Sequence, residues 1–111
     1  MIEVREIKNY DEFNSFLDMD KENLHVIKIG AEWCGPCRMM ENVIKNLDVN
    51  KINNALFAEI DVDGDDTNDI VVNYSIRSIP VILFIKNGEL LDKKVGSMSE
   101  DMLYKEIEKY K

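Results

Sequence analysis

The segment that most constrains the fold is "NLHVIKIGA" at residues 23–31, a nearly continuous apolar run. Such a run is typical of a strand at the centre of a sheet, where helices cover both faces and neither face meets water. The only two cysteines of the chain follow at once, in "AEWCGPC" at 31–37. The sequence therefore predicts that both thiols lie where a central strand gives way to a helix.

The rest of the chain alternates between strand and helix patterns. Strand patterns cover residues 1–7, 54–63 and a hairpin at 80–96 with an Asn-Gly turn at 87–88, and helix patterns cover 9–20, 36–47, 67–76 and 97–111. Thr67 or Asn68 is the expected N-cap of the third helix, and Ser99 that of the fourth. Strands that alternate with helices favour parallel pairing through right-handed crossovers, and the hairpin adds antiparallel strands. We expect an α/β fold in which a mixed central sheet of about five strands is flanked on both faces by about four helices. A length of 111 residues predicts a single domain over residues 1–111.

Charge and hydropathy exclude several classes of function. The chain carries 22 acidic and 14 basic side chains, for a net charge of −8, so it lacks the basic surface that nucleic-acid binding needs. No apolar stretch reaches the roughly 18–20 residues that span a bilayer, and the N-terminal segment resembles no secretory signal. We therefore expect a cytoplasmic protein. Permanent disulfides are rare in that compartment, so a cysteine pair there is expected to be catalytic or metal-binding.

Cys34 and Cys37 are spaced for reversible disulfide chemistry. Positions i and i+3 of a helix share one face, which brings the two sulfurs close enough to bond to each other. Cys34 falls at the helix start, where unpaired backbone N–H groups and the helix dipole favour a thiolate, the attacking species in disulfide exchange. Cys37 lies one turn further in and is expected to act second, as the resolving thiol. Gly35 and Pro36 limit the bulk between them and fix the turn.

Other interpretations of the cysteines and of one acidic segment are weaker. A structural zinc site normally needs four ligands, and this chain offers two cysteines and a single histidine, His25, although a site shared between chains stays open. Two inert buried cysteines would leave the motif at the helix start without a reason. The acidic segment at 61–69 does not match a calcium-binding EF-hand loop, because its sixth and twelfth positions hold Asp66 and Val72. We therefore expect no metal site, and a structural role for His25.

Three segments together resemble the thioredoxin family. They are "AEWCGPC" at 31–37, "SIRSIPVILFIKNGEL" at 75–90 and "KVGSMSEDML" at 94–103. The resemblance extends over nearly the whole chain from about residue 10. It implies a thioredoxin fold and a thiol–disulfide oxidoreductase that reduces protein disulfides, with roles in electron transport and cell redox homeostasis. It also implies that no cofactor is bound and that a separate reductase, an NADPH-dependent flavoprotein or a ferredoxin-linked enzyme, recycles the disulfide.

The resemblance also assigns the site residues by position. Cys34 would be the nucleophile and Cys37 the resolving thiol, and Pro80 would be a cis-proline that faces them. The apolar patch that meets substrate would consist of Trp33, Gly35, Pro36, Ile79, Pro80 and Gly96. The backbone of Ile79 would pair with the substrate chain like an added strand. Two alternatives remain: an oxidant or isomerase of raised potential, and an interaction module without activity. We expect a monomer.

The chain departs from the family pattern beneath the cysteines. Lys28 stands where the family has a buried aspartate, and Glu59 where it often has a lysine, so the two charges would be exchanged. If they pair, Lys28 would stabilise thiolates and Glu59 could accept a proton; otherwise both side chains reach solvent and have no redox role. Gly30 replaces an aromatic residue of many relatives. Asn42 replaces the proline that usually kinks the active-site helix, so a straighter helix is expected.

Overall fold

A computed structural model describes residues 2–110 of the chain. Its elements are β1 (Val4–Ile7), α1 (Tyr10–Asp18), β2 (Leu24–Gly30), α2 (Gly35–Lys45), β3 (Ala55–Asp61), α3 (Asn68–Asn73), β4 (Val81–Lys86), β5 (Glu89–Val95) and α4 (Glu100–Tyr110). A 3₁₀ turn, Val49–Lys51, precedes β3. This order confirms the predicted α/β alternation and the C-terminal hairpin. Met1 of the first predicted strand and Lys111 of the last predicted helix lie outside the described residues.

The five strands form one mixed sheet in the order β1-β3-β2-β4-β5. The pairs β1–β3 and β3–β2 are parallel, whereas β4 runs antiparallel to β2 and β5 antiparallel to β4. The central strand is β2, and all seven of its residues are buried. The predicted central strand is therefore confirmed, and its carboxyl end leads directly to the cysteines.

Side chains of β2 alternate between two hydrophobic cores, one on each face of the sheet. Ile27 and Ile29 belong to a core that includes Phe13 of α1 and Ile70 of α3. Leu24 and Val26 belong to the opposite core, whose helical members are Met40 and Ile44 of α2 and Leu103 and Ile107 of α4. Helices thus cover both faces, as predicted, and the period-2 pattern of the strand sends every second side chain to the same core.

The predicted side-chain cap of α4 is present, and α1 has a side-chain cap that was not predicted. The Asn9 side chain accepts a hydrogen bond from the Glu12 backbone N–H at 2.8 Å, and Ser99 Oγ accepts one from the Met102 N–H at 3.2 Å. The predicted side-chain cap at α3 is wrong in its chemistry. Thr67 occupies the N-cap position, but its hydroxyl donates to the Asp61 carbonyl oxygen at 2.7 Å and makes no cap hydrogen bond. The hydroxyl therefore ties the loop before α3 back to the end of β3.

Candidate active site

The cysteines lie four and seven residues beyond the end of the central strand. Cys34 is the N-cap of α2, Pro36 occupies the first turn, and Cys37 lies one turn into the helix. Cys34 and Cys37 form a disulfide with a Cα–Cα distance of 5.2 Å, which confirms that the pair can bond. The backbone N–H of Cys37 donates to Cys34 Sγ at 3.2 Å. This N–H is one of those that a helix start leaves unpaired, and here it is directed at a sulfur.

The start of β4 lies beside the disulfide. Val81 pairs with Ile29 near the end of β2, so the Ile79–Pro80 step reaches the same edge as the cysteines. Its peptide bond is cis, as the resemblance implies. Ile79 packs against a small buried cluster of Ala31, Cys34 and Cys37. Pro80 itself is buried, so it supports the surface rather than forming it.

The other residues assigned to the docking patch surround this edge. Trp33, Gly35 and Pro36 are exposed, and the Trp33 ring is the most exposed large apolar side chain among residues 2–110, at 72%. Gly96 has a φ of 95°, a conformation that favours glycine, and its N–H donates to the Pro80 carbonyl at 2.8 Å. The structure therefore brings the predicted patch residues together on one side of the molecule.

Asp63 is a contact of the patch that the sequence did not single out. Its Oδ2 accepts a hydrogen bond from Trp33 Nε1 at 2.6 Å. Its backbone N–H donates to the Asp61 side chain at 2.8 Å, which fixes the start of the acidic loop. The only signal in the sequence was the acidic loop itself, and composition does not show which carboxylate contacts the indole.

Lys28 is buried in β2 and contacts carboxylates on two sides. Its Nζ lies 3.4 Å from Glu59 Oε2, and the register of β2 and β3 places the two residues directly opposite each other. On the other side Nζ lies 3.9 Å from Glu41 Oε2 on α2. The Lys28 side chain is only 9% exposed, whereas the Glu59 side chain is 30% exposed.

Glu41 also binds a second cation. Lys45 Nζ donates to Glu41 Oε1 at 2.6 Å. This hydrogen bond lowers the pKa of Glu41 from its usual value, burial acts in the opposite direction, and the charge of Lys28 lowers it further. The same hydrogen bond raises the pKa of Lys45. Glu41 is therefore a carboxylate at neutral pH.

A cleft of about 390 Å³ opens to solvent beside this cluster. Its walls include Lys28, Glu41, Glu59 and Gly30. Gly30 is a point of close approach between β2 and α2, because a Cβ built on it would lie 2.8 Å from Cys37 Sγ and 2.9 Å from Cys37 Cβ. The Cys37 sulfur on α2 therefore lies against Gly30 of β2, two residues along the strand from Lys28.

Residues 2–110 contain neither a metal-binding cluster nor a membrane-spanning helix. No group of three or more His, Cys, Asp or Glu side chains in this part of the chain is arranged to hold a metal ion. None of its helices has the length and apolar character needed to cross a membrane. His25 is buried in β2, and its Nε2 lies 2.7 Å from the Met19 carbonyl oxygen. It is the second residue of β2, whereas the disulfide follows the last residue of that strand.

A disulfide at the start of a helix, at the end of the central strand of a mixed α/β sheet, defines a thiol–disulfide oxidoreductase. Comparisons with known proteins give the family. The Thioredoxin family model matches residues 4–109. The chain is 37% identical over 103 residues to a thioredoxin of Chlorobaculum thiosulfatiphilum, covering 93% of this chain and 90% of the relative. Mouse mitochondrial thioredoxin is 32% identical over 85 residues, and the matched part is 77% of this chain but only 50% of that relative.

Solved structures agree. The X-ray structure of Fasciola hepatica thioredoxin superposes with a TM-score of 0.86 at 29% identity, covering 97% of this chain and all of that one. The crystal structure of Malassezia sympodialis thioredoxin superposes with a TM-score of 0.82 at 32% identity, covering 99% of this chain and 92% of that one. The chain belongs to the thioredoxin family, and its fold is the thioredoxin fold. It is a protein-disulfide reductase whose redox centre is a cysteine pair, and neither the oxidant nor the interaction-module alternative is favoured.

Proposed function

We propose that Cys34 attacks the target disulfide and that Cys37 resolves the product. The observation that carries this assignment is the position of Cys34 at the N-cap, where its sulfur accepts the Cys37 N–H at 3.2 Å. A hydrogen bond and a helix dipole that stabilise negative charge on sulfur lower the pKa of a thiol. Cys34 is 7% exposed and Cys37 only 1%, so Cys34 is the more accessible of the two sulfurs.

The reaction then runs in two exchange steps. The Cys34 thiolate attacks one sulfur of the target disulfide, the target S–S bond breaks, and the other target cysteine leaves as a thiolate that takes up a proton. Cys37 next loses its proton and attacks Cys34 Sγ. The mixed disulfide breaks and releases the second target thiolate. Two electrons have passed to the target, and Cys34 and Cys37 are left as a disulfide for a reductase to reduce.

We propose that the target chain docks on the patch of Trp33, Gly35, Pro36, Ile79 and Gly96, with the buried Pro80 supporting it from beneath. The exposed Trp33 supplies apolar contact area, and its hydrogen bond to Asp63 restrains the ring. The backbone of Ile79 lies beside the cysteines at the start of β4 and is placed to pair with an extended target segment.

Lys28 and Glu59 are proposed to tune the redox centre. A cation near Cys37 stabilises the thiolates of the reduced form and makes the disulfide easier to reduce, while Glu59 at 3.4 Å offsets part of that charge. Replacing Lys28 with Met removes the charge and keeps a long apolar side chain. We expect higher thiol pKa values and a potential roughly 20 mV more negative, from about 1 kcal/mol of net interaction. An unchanged potential from pH 6 to pH 10 would refute the tuning.

The cellular setting belongs to the same proposal. The chain acts as one domain over residues 1–111, as a monomer in the cytoplasm, and contributes to electron transport and cell redox homeostasis. Its electron donor is a thioredoxin reductase of the NADPH-dependent flavin type or the ferredoxin-linked type. The family membership supports the redox roles, and assays with purified reductases of both types distinguish the two donors.

Insulin reduction with dithiothreitol as the electron source tests the mechanism without any reductase. Wild-type protein should accelerate the precipitation of insulin chains, and Cys34→Ser should lose that acceleration. Reduced Cys37→Ser, freed of dithiothreitol and then mixed with insulin, should instead accumulate a mixed disulfide between Cys34 and the target, visible as a reducible adduct on a non-reducing gel. Equal activity of Cys34→Ser and wild type would overturn the assignment of the nucleophile, and inactivity of the wild type would favour the interaction module.

A further inference from the structure

Two contacts join α2 to the central strand β2: Cys37 with Gly30, and Glu41 with Lys28. Glu41 follows Cys37 by four residues and so lies one turn further along the same face of α2. Lys28 precedes Gly30 by two residues and points to the same face of β2. Cys37 lies against Gly30, and Glu41 Oε2 lies 3.9 Å from Lys28 Nζ. One helical turn and two strand residues both span about 5.5–6.5 Å. The Lys28–Glu41 ion pair is therefore displaced from the contact of Cys37 with Gly30 by about that distance along the interface of α2 and β2.

The charges around Lys28 alternate. Four side chains form a row of ion pairs: Lys45 with Glu41 at 2.6 Å, Glu41 with Lys28 at 3.9 Å, and Lys28 with Glu59 at 3.4 Å. Their formal charges sum to zero. Glu59 approaches from β3 and Glu41 from α2, so Lys28 is held between the sheet and the active-site helix. The other charged residues that line the cleft are Glu6, Glu32, Arg38 and Asp61.

The cluster can lose one carboxylate without losing the fold. The Glu41 side chain is 36% exposed and borders the open cleft of about 390 Å³. A glutamine there keeps the shape and can still accept from Lys45. Lys28 would keep Glu59 as a partner and would not become a lone buried ammonium, which is the costly case.

We propose that Glu41 is a positioning residue of the redox centre, which ties Lys28 to α2 and neutralises part of its charge beneath Cys37. The inference deepens the proposed tuning by Lys28 and Glu59 and rests on it. Glu41 is itself 36% exposed and paired with Lys45 at 2.6 Å, so its own charge is largely offset and screened. Neutralising Glu41 instead removes one of the two carboxylates that compensate Lys28, and the less compensated ammonium stabilises the thiolates of the reduced form. Glu41 acts through Lys28, so its effect should vanish when Lys28 is uncharged.

The test is a double-mutant cycle read by redox equilibrium. Glu41→Gln, Lys28→Met and the double variant are equilibrated with glutathione buffers from pH 6 to pH 10, and the disulfide fraction is measured. Glu41→Gln should shift the equilibrium constant about threefold towards the dithiol, the size of a partly exposed ion pair, and Lys28→Met should shift it in the opposite direction. The double variant should match Lys28→Met alone.

Glu89→Gln is the matched control. Glu89 is exposed at the hairpin turn, and its partner Lys86 pairs with Leu24, at the far end of β2 from Gly30. The control should leave the equilibrium constant unchanged. A Glu41→Gln shift that persists in the Lys28→Met background would overturn the inference, because Glu41 would then act on its own. No Glu41→Gln shift, with Lys28→Met still effective, would overturn the role of Glu41 and leave the tuning by Lys28 intact. An ineffective Lys28→Met would overturn both.

Discussion

Gly30 is the position where one added methyl group should be felt most strongly by the disulfide. Replacing it with Ala places a Cβ 2.8 Å from Cys37 Sγ and 2.9 Å from Cys37 Cβ. Ordinary contacts between such atoms are about 3.5–4.0 Å, so α2 or the cysteine must move by about 0.7 Å or more. Cys37 is only 1% exposed, which leaves it little free space to move into.

The cost should be larger in the oxidised protein. Overpacking of a tight interior costs about 1–3 kcal/mol. The contact with Cys37 Cβ is present in both redox states, whereas the Sγ contact can be relieved after reduction, when the thiol is free to rotate. If about half of a 2 kcal/mol cost is relieved, the oxidised form loses about 1 kcal/mol relative to the reduced form. The potential should then become about 20 mV less negative.

Two measurements on the Gly30→Ala variant check this expectation. Thermal or denaturant unfolding is followed separately for the oxidised and reduced proteins, so that the reduced form serves as the internal control. Redox equilibrium with dithiothreitol is followed by fluorescence of Trp33, the only tryptophan of the chain. Equal stability of variant and wild type in both states would refute the close approach of β2 to Cys37. Equal losses in both states, with an unchanged potential, would refute the assignment of the difference to Sγ.

Two further predictions concern stability away from the disulfide. Burial acts to raise the pKa of Asp92, but hydrogen bonds, chiefly from the Tyr110 hydroxyl at 3.0 Å, hold it below the usual 3.8. A carboxyl group with a lowered pKa in the folded state stabilises the fold above its unfolded value, and this stabilisation is lost as the pH falls through the folded value. Tyr110→Phe should therefore cost about 0.5–1.5 kcal/mol at pH 7 and clearly less below about pH 3.8, as denaturant unfolding at both pH values would show; an equal cost at both would contradict it. His25→Leu should cost about 1–3 kcal/mol by leaving the Met19 carbonyl without its partner, while insulin reduction per folded molecule stays unchanged; lost activity in a folded variant would contradict the structural role of His25.

The order of the elements could be predicted because it depends on local signals. The apolar run of β2, the Asn87-Gly88 turn and Ser99 before the last helix can be recognised without tertiary information. Both turn residues have positive φ, 52° and 77°, as the type of turn that joins such strands requires. The cap of α3 was missed because Thr67 Oγ1 finds the Asp61 carbonyl, an acceptor that only the folded loop brings near.

The candidate site was predictable in part for the same reason. The cysteine spacing and the helix start are local, and the resemblance added the partners from β4. The pairing of Lys28 with Glu59 depends on the register of β2 and β3. Alignment with the family indicated that register, whereas periodicity alone did not. Glu41 was overlooked although its spacing of four from Cys37 was a usable signal. Asp63 could not be selected from the acidic loop, because only the loop conformation shows which carboxylate contacts Trp33.

The interface of β2 and α2 holds both the Lys28–Glu41 ion pair and the Cys37 sulfur. Strand β2 supplies Lys28 and Gly30 on one face, and α2 supplies Glu41 and Cys37 on the face that meets it. This neutral set of alternating charges differs in arrangement from the family pattern, in which a buried aspartate is often paired with a lysine. The chain keeps the cysteine pair of the family, and the proposed tuning gives Cys37 a different electrostatic setting.

The redox potential of the Cys34–Cys37 pair tests the central claim most directly, because it decides whether the pair donates or accepts electrons. It is measured by equilibration of the protein with defined dithiothreitol or glutathione buffers at pH 7. The account predicts a reducing value, more negative than about −230 mV and near the roughly −270 mV of thioredoxin. A value above about −180 mV, in the range of protein disulfide isomerase and stronger oxidants, would contradict the role as a reductant of protein disulfides.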